Sequence, residues 1–314
     1  MYPLFENIGA WVPPVIPDLA ALPHGDMPGD KVSIHPEQVQ KAATLFPVLA
    51  EQLRDVMELN PSHRAVVAIC GGSGSGKSGM ASLMGHYLRE AGIGTYVLSG
   101  DNYPRRIPEQ NDAERVRIFR CSGLRGLLTA GIYSEEIQPV LTDLQKDGTD
   151  SDPALCEQYP WLSVYQKAGR SALTGYLGTD KEQDFDELTG IVSQFKNGAQ
   201  SIWLKRMGRT DTALWYDNVD FSEINVLIIE WTHANSDGYQ GVDIPILMNS
   251  TPRETLEYRR SRNRDSGADS PFVTMVLEIE QRLLDSQAHK AKIILSKKGE
   301  LLTYDQYRQL MAQP

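Results

Sequence analysis

The sequence predicts an α/β fold of three layers, in which helices cover both faces of a mostly parallel central sheet. Two observations lead to this prediction. Residues 65–70 form an unbroken apolar run of the kind found in strands buried on both faces. A helical pattern over residues 78–91 and a second short strand over 95–99 follow it. This order builds a right-handed unit in which the two strands run parallel.

A glycine-rich stretch joins the first strand to the helix. Residues 71–78, with the sequence GGSGSGKS, fit the pattern G-x-x-x-x-G-K-[ST]. Glycines allow successive backbone N–H groups to converge on an anion, and the helix N-terminus adds partial positive charge. A flexible turn is the alternative. The nucleotide ligands expected here are Gly72, Ser73, Gly74, Ser75, Gly76, Lys77, Ser78 and Met80.

This stretch predicts that the protein binds a nucleotide. Lys77 would reach the β- and γ-phosphates of ATP, and the Ser78 hydroxyl would ligate Mg²⁺. The predicted fold class is therefore a P-loop NTPase sandwich with a helical insertion and an N-terminal helical extension. Because GTPases, motor ATPases and small-molecule kinases share this loop, it predicts nucleotide binding without fixing the reaction.

The remaining patterns suggest an organisation in two parts. Residues 1–60 are expected to form an irregular arm and a helix that Pro47 kinks or divides, and residues 61–314 the P-loop domain. An insertion that caps the substrate is expected at about 121–220. Further strands are predicted at 225–230, 243–248 and 292–295, and Thr251, Pro252 and Glu254 predict a capped helix start between the last two.

Charge, cysteine content and hydropathy argue against several classes of protein. The 31 lysines and arginines against 41 aspartates and glutamates give a net charge of −10, which argues against nucleic acid as a partner. The three cysteines fit neither a disulfide framework nor a zinc site, so free thiols in a reducing cytoplasm are expected. The first residues lack a signal-peptide pattern, and without a run of about 18 apolar residues no membrane span is predicted.

Two carboxylates follow predicted strands, at the edge where parallel sheets bind ligands. Asp101 comes directly after the second strand and would accept the proton of an attacking hydroxyl or hold a magnesium-bound water. A loop aspartate beside Gly100 is the alternative. Glu230 ends the apolar run 225–229, where an acid is costly to bury unless it is paired or near a metal. A water-mediated contact to Mg²⁺ is predicted, and a structural ion pair is the alternative.

Arginines concentrate in two stretches of this acidic chain. Arg260 and Arg264 are predicted to stabilise charge on the transferred phosphoryl group and Arg262 to contact the nucleotide, with a solvated basic face as the alternative. The second stretch contains Arg105, Arg106, Arg115, Arg117 and Arg120. It suggests an acceptor bearing phosphate, sulfate or carboxylate, against the alternative of a surface helix with alternating charges.

Residues 65–301 resemble the uridine kinase and phosphoribulokinase family of P-loop kinases. The segment 101–103 is similar to the family's D-x-[FY]-Y motif, which implies that Asp101 is the catalytic base. Residues 179–186 resemble F-D-H-P-x-A-F-D, which implies that Asp180 contacts substrate hydroxyls. Residues 260–265 resemble the family's arginine-rich lid. The chain departs from the family at Pro104 and over 203–207, where the second aromatic and the P-x-Y-D segment would stand.

A second, local resemblance covers residues 95–120. They are similar to the D-G-D-N-x-R and R-x-x-N-x-R-R stretches of adenylylsulfate kinases, whose arginines grip a sulfated nucleotide. The two resemblances together imply that Tyr103, Arg105, Arg120 and Asp180 contact the acceptor.

These observations predict a kinase that moves the γ-phosphate of ATP to the hydroxyl of a nucleoside, sugar or sugar-acid-like acceptor. Phosphorylation of a sulfated or phosphorylated nucleotide is the alternative reaction. A nucleotide-dependent switch or assembly ATPase is the alternative from another class, although Glu230 is not followed by the D-x-x-G of a switch. A homodimer through the N-terminal helix is left open.

Overall fold

The structure, a computed structural model, describes residues 2–30, 32–210, 212–251, 254–255 and 270–312. The predicted lid residues Arg260, Arg262 and Arg264 therefore lie outside the described residues, as does Pro252.

The central sheet has six strands in the order β2-β5-β1-β6-β7-β8. These are β1 (Ala65–Cys70), β2 (Thr95–Ser99), β5 (Val226–Glu230), β6 (Ile244–Met248), β7 (Ile293–Leu295) and β8 (Leu301–Leu302). All neighbouring pairs run parallel except β7 and β8. Every residue of β1 and β5 is buried, because helices cover both faces. The predicted mostly parallel sheet is confirmed.

Nine helices have bounds within the described residues, together with an antiparallel hairpin. The helices are α1 (Pro3–Glu6), α2 (Pro36–Leu59), α3 (Lys77–Glu90), α4 (Pro108–Thr129), α5 (Ile137–Lys146), α6 (Leu162–Thr174), α7 (Phe185–Lys196), α8 (Pro271–Gln287) and α9 (Tyr304–Met311). The hairpin pairs β3 (Ser201–Met207) with β4 (Leu214–Asp220). Pro47 lies inside α2, which is one helix rather than two.

Two apolar clusters bind helices to opposite faces of the sheet. On one face, α2, α3 and arm residues such as Leu4 and Phe5 pack against Val67 and Ile69 of β1. On the other face, α7 and the hairpin pack against Val66 and Ala68 of the same strand. The alternation of side chains along a strand thus divides β1 between two cores, and the three predicted layers are present.

The helices after β2 form a third apolar cluster with α8. Phe119 and Leu127 of α4 pack with Leu162 and Tyr165 of α6 and with Met275 of α8. This helical part begins at Pro108, earlier than the predicted start of the insertion at 121, since Pro108 opens α4 as its first helical residue. In the part of the chain that the structure describes, no helix has the length and apolar character that crossing a bilayer requires.

Candidate active site

The loop between β1 and α3 has the geometry of an anion cradle. Gly74 and Gly76 have φ angles of 78° and 92°, a left-handed region that side chains other than glycine rarely enter. Lys77 begins α3, and its Nζ donates to the Gly72 carbonyl at 3.1 Å. The buried Ser75 Oγ has no hydrogen-bond partner among the described residues. A buried polar atom without a partner, beside converging amides and a lysine, fits a bound phosphate.

Glu230 lies directly beside this cradle. Its carboxylate accepts hydrogen bonds from Ser78 Oγ at 2.9 Å and from Ser99 Oγ at 2.8 Å, and the residue is only 4% exposed. The pKa of Glu230 is raised to about 7, mainly by burial and then by the nearby Asp101, while Lys77 opposes the shift. A nearby cation stabilises the ionised form of a carboxylate whose burial opposes ionisation, so the predicted magnesium contact fits this position.

The donor set also suits magnesium in its chemistry. Mg²⁺ prefers oxygen ligands and is held by one or two carboxylates together with substrate phosphates, rather than by a full cage of side chains. Ser78 and Glu230 provide such oxygens. No group of three or more His, Cys, Asp or Glu side chains suited to a metal occurs within the described ranges.

Asp101 stands in a 3₁₀ turn, Gly100–Asn102, at the end of β2. A Cβ on Gly100 would overlap the Trp231 ring, so glycine is required for the close approach of this turn to the chain after β5. Asn102 is fully buried whereas Asp101 is exposed. The turn therefore presents the Asp101 carboxylate outwards at the carboxyl edge of the sheet, on the same edge as Glu230.

The two segments predicted to contact the acceptor lie against each other. Pro104 and Gln183 form an antiparallel bridge, and Arg105 N donates to Glu182 O at 2.8 Å. Arg105 Nε also donates to the backbone carbonyl of Asp180 at 2.6 Å. The side chains of Arg105 and Asp180 are exposed. The structure thus brings these two predicted residues together, and their contact with a substrate stays a prediction.

Two other predicted ligands are buried away from the surface. Tyr103 is fully buried, with Lys205 Nζ 5.1 Å from its ring centroid, and burial raises the pKa of its hydroxyl. The Met80 side chain is fully buried in the apolar cluster that α3 forms with α2 and β1. Residues 74–78 of the loop, in contrast, line an open cavity. These positions favour a packing role for both side chains.

All five arginines of the second basic stretch have carboxylate partners. The pairs are Arg105–Asp184, Arg106–Glu114, Arg115–Glu182, Arg117–Glu114 and Arg120–Asp150. Arg120 in particular is held by both Asp150 oxygens, at 3.1 and 3.2 Å, and by the Gln145 carbonyl. The stretch is thus neutralised by neighbouring acids, which favours the alternative of a helix with alternating charges.

The predicted helix start after β6 shows its capping contacts. Thr251 N donates to Glu254 Oε2 at 2.7 Å, and Glu254 N donates to Thr251 Oγ1 at 3.3 Å. His233 is buried, and its ring packs edge-on against the Trp231 ring.

One residue near the site carried no recognisable sequence signal. Asp26, in the N-terminal arm, accepts hydrogen bonds from Ser99 N, Asn102 Nδ2, Tyr96 Oη and Arg206 Nη1, at 2.8 to 2.9 Å. It therefore joins the arm to the end of β2 and to the hairpin, next to the turn that carries Asp101. A single aspartate in a stretch rich in proline and glycine gives no pattern from which these long-range contacts can be predicted.

A second group that was missed is a buried ionic cluster between α4 and α8. Arg115 Nη2 lies 2.7 Å from Glu182 Oε1 and 3.9 Å from Glu280 Oε1. Burial raises the pKa of Glu280 to about 7, and Arg115 opposes this shift. Glu280 lines a small pocket together with Gly72 and Ser73, so the cluster lies beside the cradle.

Comparison with known proteins points to kinases. The family described as Adenylylsulphate kinase matches residues 63–113. The bifunctional alpha-galactosidase/sucrose kinase AgaSK of Mediterraneibacter gnavus is 37% identical over 285 residues, covering 90% of this chain and 26% of that protein. An adenylyl-sulfate kinase of Lactiplantibacillus plantarum is 29% identical over 171 residues, covering 48% of this chain and 76% of that protein.

A solved structure from Bacillus stearothermophilus, described as a possible uridine kinase, shares 14% sequence identity with a TM-score of 0.38, covering 79% of this chain and 98% of that one. The fold and the glycine-rich loop after β1 place this chain in the class of P-loop proteins. Its similarity to the sucrose kinase and adenylyl-sulfate kinase relatives confirms the predicted resemblance to P-loop kinases. This chain spans only 26% of the length of the bifunctional alpha-galactosidase/sucrose kinase.

Proposed function

We propose that this chain transfers the γ-phosphate of ATP to a hydroxyl group of a sugar, with Mg²⁺. The observation that carries the proposal is the shared edge of the sheet, where Lys77, the Ser78–Glu230 pair and Asp101 stand at the carboxyl ends of three neighbouring strands. The sucrose kinase named in the bifunctional relative supports a sugar as acceptor, because the similarity covers 90% of this chain. Since this chain carries the P-loop, we assign the similarity to the kinase part of that relative.

Each residue at this edge of the sheet has its own proposed role in the reaction. The amides of residues 72–78 and the Lys77 ammonium would bind the triphosphate and offset its charge. Ser78 and Glu230 would hold Mg²⁺, which supplies further charge neutralisation when bound. Asp101 would accept the proton of the acceptor hydroxyl as its oxygen bonds to the γ-phosphorus. The bond from that phosphorus to the bridging oxygen of ADP then breaks.

An uncharged acceptor is favoured by the charges around the site. The arginines that suggested an anionic acceptor are paired with carboxylates, and Arg115 lies between Glu182 and Glu280. A paired guanidinium and carboxylates offer donors and acceptors to hydroxyl groups without a net positive field. We therefore expect a neutral polyhydroxyl compound, with Arg105 and Asp180 at the entrance to its site.

Phosphorylation of adenylyl sulfate is the second candidate. It is supported by the family match over 63–113 and by the shorter similarity to adenylyl-sulfate kinases. The matched residues contain the loop, β2 and Asp101, which serve ATP and proton transfer in either reaction. The match therefore supports the chemistry more strongly than it supports this acceptor.

The proposal is tested by measuring ADP formation from ATP and Mg²⁺ with one acceptor at a time. The panel contains sucrose, other neutral sugars, sugar acids, nucleosides and adenylyl sulfate. We expect neutral sugars to raise ADP formation above the level without acceptor. A response to adenylyl sulfate alone would establish the second candidate, and hydrolysis that no acceptor changes would favour an ATPase.

A further inference from the structure

A large cavity in the described part of the chain borders the P-loop on the side of β6 and β7, which lie across β1 from β2 and Asp101. It has a volume of about 1250 Å³, and residues 74–79 form one of its walls. Loops that follow β6 and β7, including Ser250 and Lys297, form another. The third wall belongs to the N-terminal helix α2, which precedes the P-loop domain in sequence.

The first turns of α2 contact the P-loop directly. Gln38 Nε2 donates to the Gly76 carbonyl at 3.4 Å, and Gln38 Oε1 accepts from His35 N at 2.9 Å. A Cβ on Gly79 would lie 2.7 Å from Gln38 Nε2. The absence of a side chain at Gly79 therefore lets α2 approach the start of α3 closely.

The same face of α2 also reaches the loop after β7. Lys41 Cγ would lie 2.8 Å from a Cβ on Gly299. Lys41, Lys297 and Lys298 all line the cavity, which with Lys77 of the P-loop receives four ammonium groups. Burial lowers the pKa of Lys41, as does the neighbouring Lys297, while Glu37 opposes the shift.

The position of α2 is fixed by its other face. Ala42, Leu45, Phe46 and Leu49 are fully buried in the apolar cluster that includes β1 and α3. The wall is thus built from a packed helix rather than from a loop, and it meets the cradle at a defined distance.

We propose that α2 forms part of the nucleotide site, where Gln38 and Lys41 contact the ribose or base of the bound nucleoside triphosphate. The inference rests on nucleotide binding by the P-loop. A triphosphate held in the loop with its γ-phosphate towards Asp101 must extend its nucleoside in the opposite direction, and the cavity lies there. Its volume suffices for a ribose and a base, since ligand pockets commonly occupy about 300–1,000 Å³.

The test compares ATP with inorganic tripolyphosphate, which carries the phosphates without the nucleoside. Dissociation constants for both are measured by calorimetry, with Mg²⁺, for the wild-type chain, Gln38→Ala, Lys41→Ala and the control Glu51→Ala, whose side chain is exposed on α2. We expect Gln38→Ala to weaken ATP binding about tenfold, the equivalent of one lost hydrogen bond. Tripolyphosphate binding by Gln38→Ala and both affinities of the control should stay unchanged.

Equal losses for ATP and tripolyphosphate would overturn the inference, because Gln38 would then only support the loop. Unchanged ATP binding in both variants would overturn it as well, and would leave the proposed kinase activity intact. Failure of the wild-type chain to bind ATP would remove both proposals. Should the variants not fold, photolabelling of the wild-type chain with 8-azido-ATP decides, since label within residues 36–44 of α2 is expected and label only outside α2 contradicts the proposal.

Discussion

Ser78 Oγ donates a hydrogen bond to Glu230 Oε2 at 2.9 Å, although the two residues are 152 positions apart in the chain. The register of the sheet produces this contact. β5 lies between β1 and β2, and Glu230 pairs with Ile69 on one side and Ser99 on the other. Because the P-loop begins just after β1 ends, the last residue of β5 comes level with the first turn of α3. The same register brings the end of β2, and with it Asp101, to this edge.

Glu230→Gln should raise the Mg²⁺ concentration needed for half-maximal activity by about 10–100-fold, the range found when groups that support a metal are removed. The amide keeps the shape of the side chain but loses the charge that attracts a cation. The measurement is a magnesium titration at saturating ATP, with Glu58→Gln, an exposed position on α2, as control. Identical titrations for Glu230→Gln and the wild-type chain would exclude Glu230 from the metal site.

Asp101→Asn should lower kcat by about 10²–10⁴-fold while ATP binding stays nearly intact, because a lost general base affects proton transfer rather than nucleotide affinity. Steady-state kinetics and calorimetry with ATP separate the two effects. Asp186→Asn is a suitable control, since Asp186 is also exposed and belongs to the neighbouring segment at the start of α7. Unchanged turnover in Asp101→Asn would remove the residue from its predicted role.

The sequence was informative wherever local pattern decides structure. The positions of the P-loop, Asp101 and Glu230 could be predicted because each stands at the carboxyl end of a buried strand, and the carboxyl ends of parallel strands meet at one edge. Asp26 and Glu280 could not be predicted, since their roles depend on partners far away in the chain, such as Arg206 and Arg115. The ion pairs of the basic stretch from Arg105 to Arg120 could not be predicted for the same reason, because acids such as Asp150 and Glu182 that pair with its arginines are distant in sequence.

Asp26→Ala should destabilise the protein by about 3–5 kcal/mol, the usual cost of leaving one partner of a buried ion pair behind. Arg206 is only 6% exposed, and its Nη1 lies 2.8 Å from Asp26 Oδ2. Urea denaturation measures the change in the free energy of unfolding. Asp18→Ala, which removes only an exposed hydrogen bond to Ala20 N, should cost less than about 1 kcal/mol. Equal effects of the two substitutions would contradict the anchoring role of Asp26.

His233 should make stability depend on pH. Burial lowers the pKa of His233 to about 4, whereas the pKa of a histidine in an unfolded chain is about 6.5. Because the unfolded chain takes up this proton first, the contribution of neutral His233 is complete above about pH 6.5 and is lost as pH falls towards about 4. Relative to His233→Asn, the wild-type chain should lose roughly 3 kcal/mol over this window. Parallel pH profiles of unfolding free energy for the two proteins would contradict the buried neutral state.

The proposed transfer of the γ-phosphate of ATP to a hydroxyl group of a sugar can be observed on the sugar itself. It is tested most directly by incubating the protein with Mg²⁺, sucrose or another neutral sugar, and ATP labelled with ¹⁸O in its γ-phosphoryl group, followed by mass spectrometry of the sugar. We expect a sugar that gains one phosphoryl group with the label retained, and no such product from Lys77→Ala. Label recovered only in inorganic phosphate, with every sugar unchanged, would contradict it.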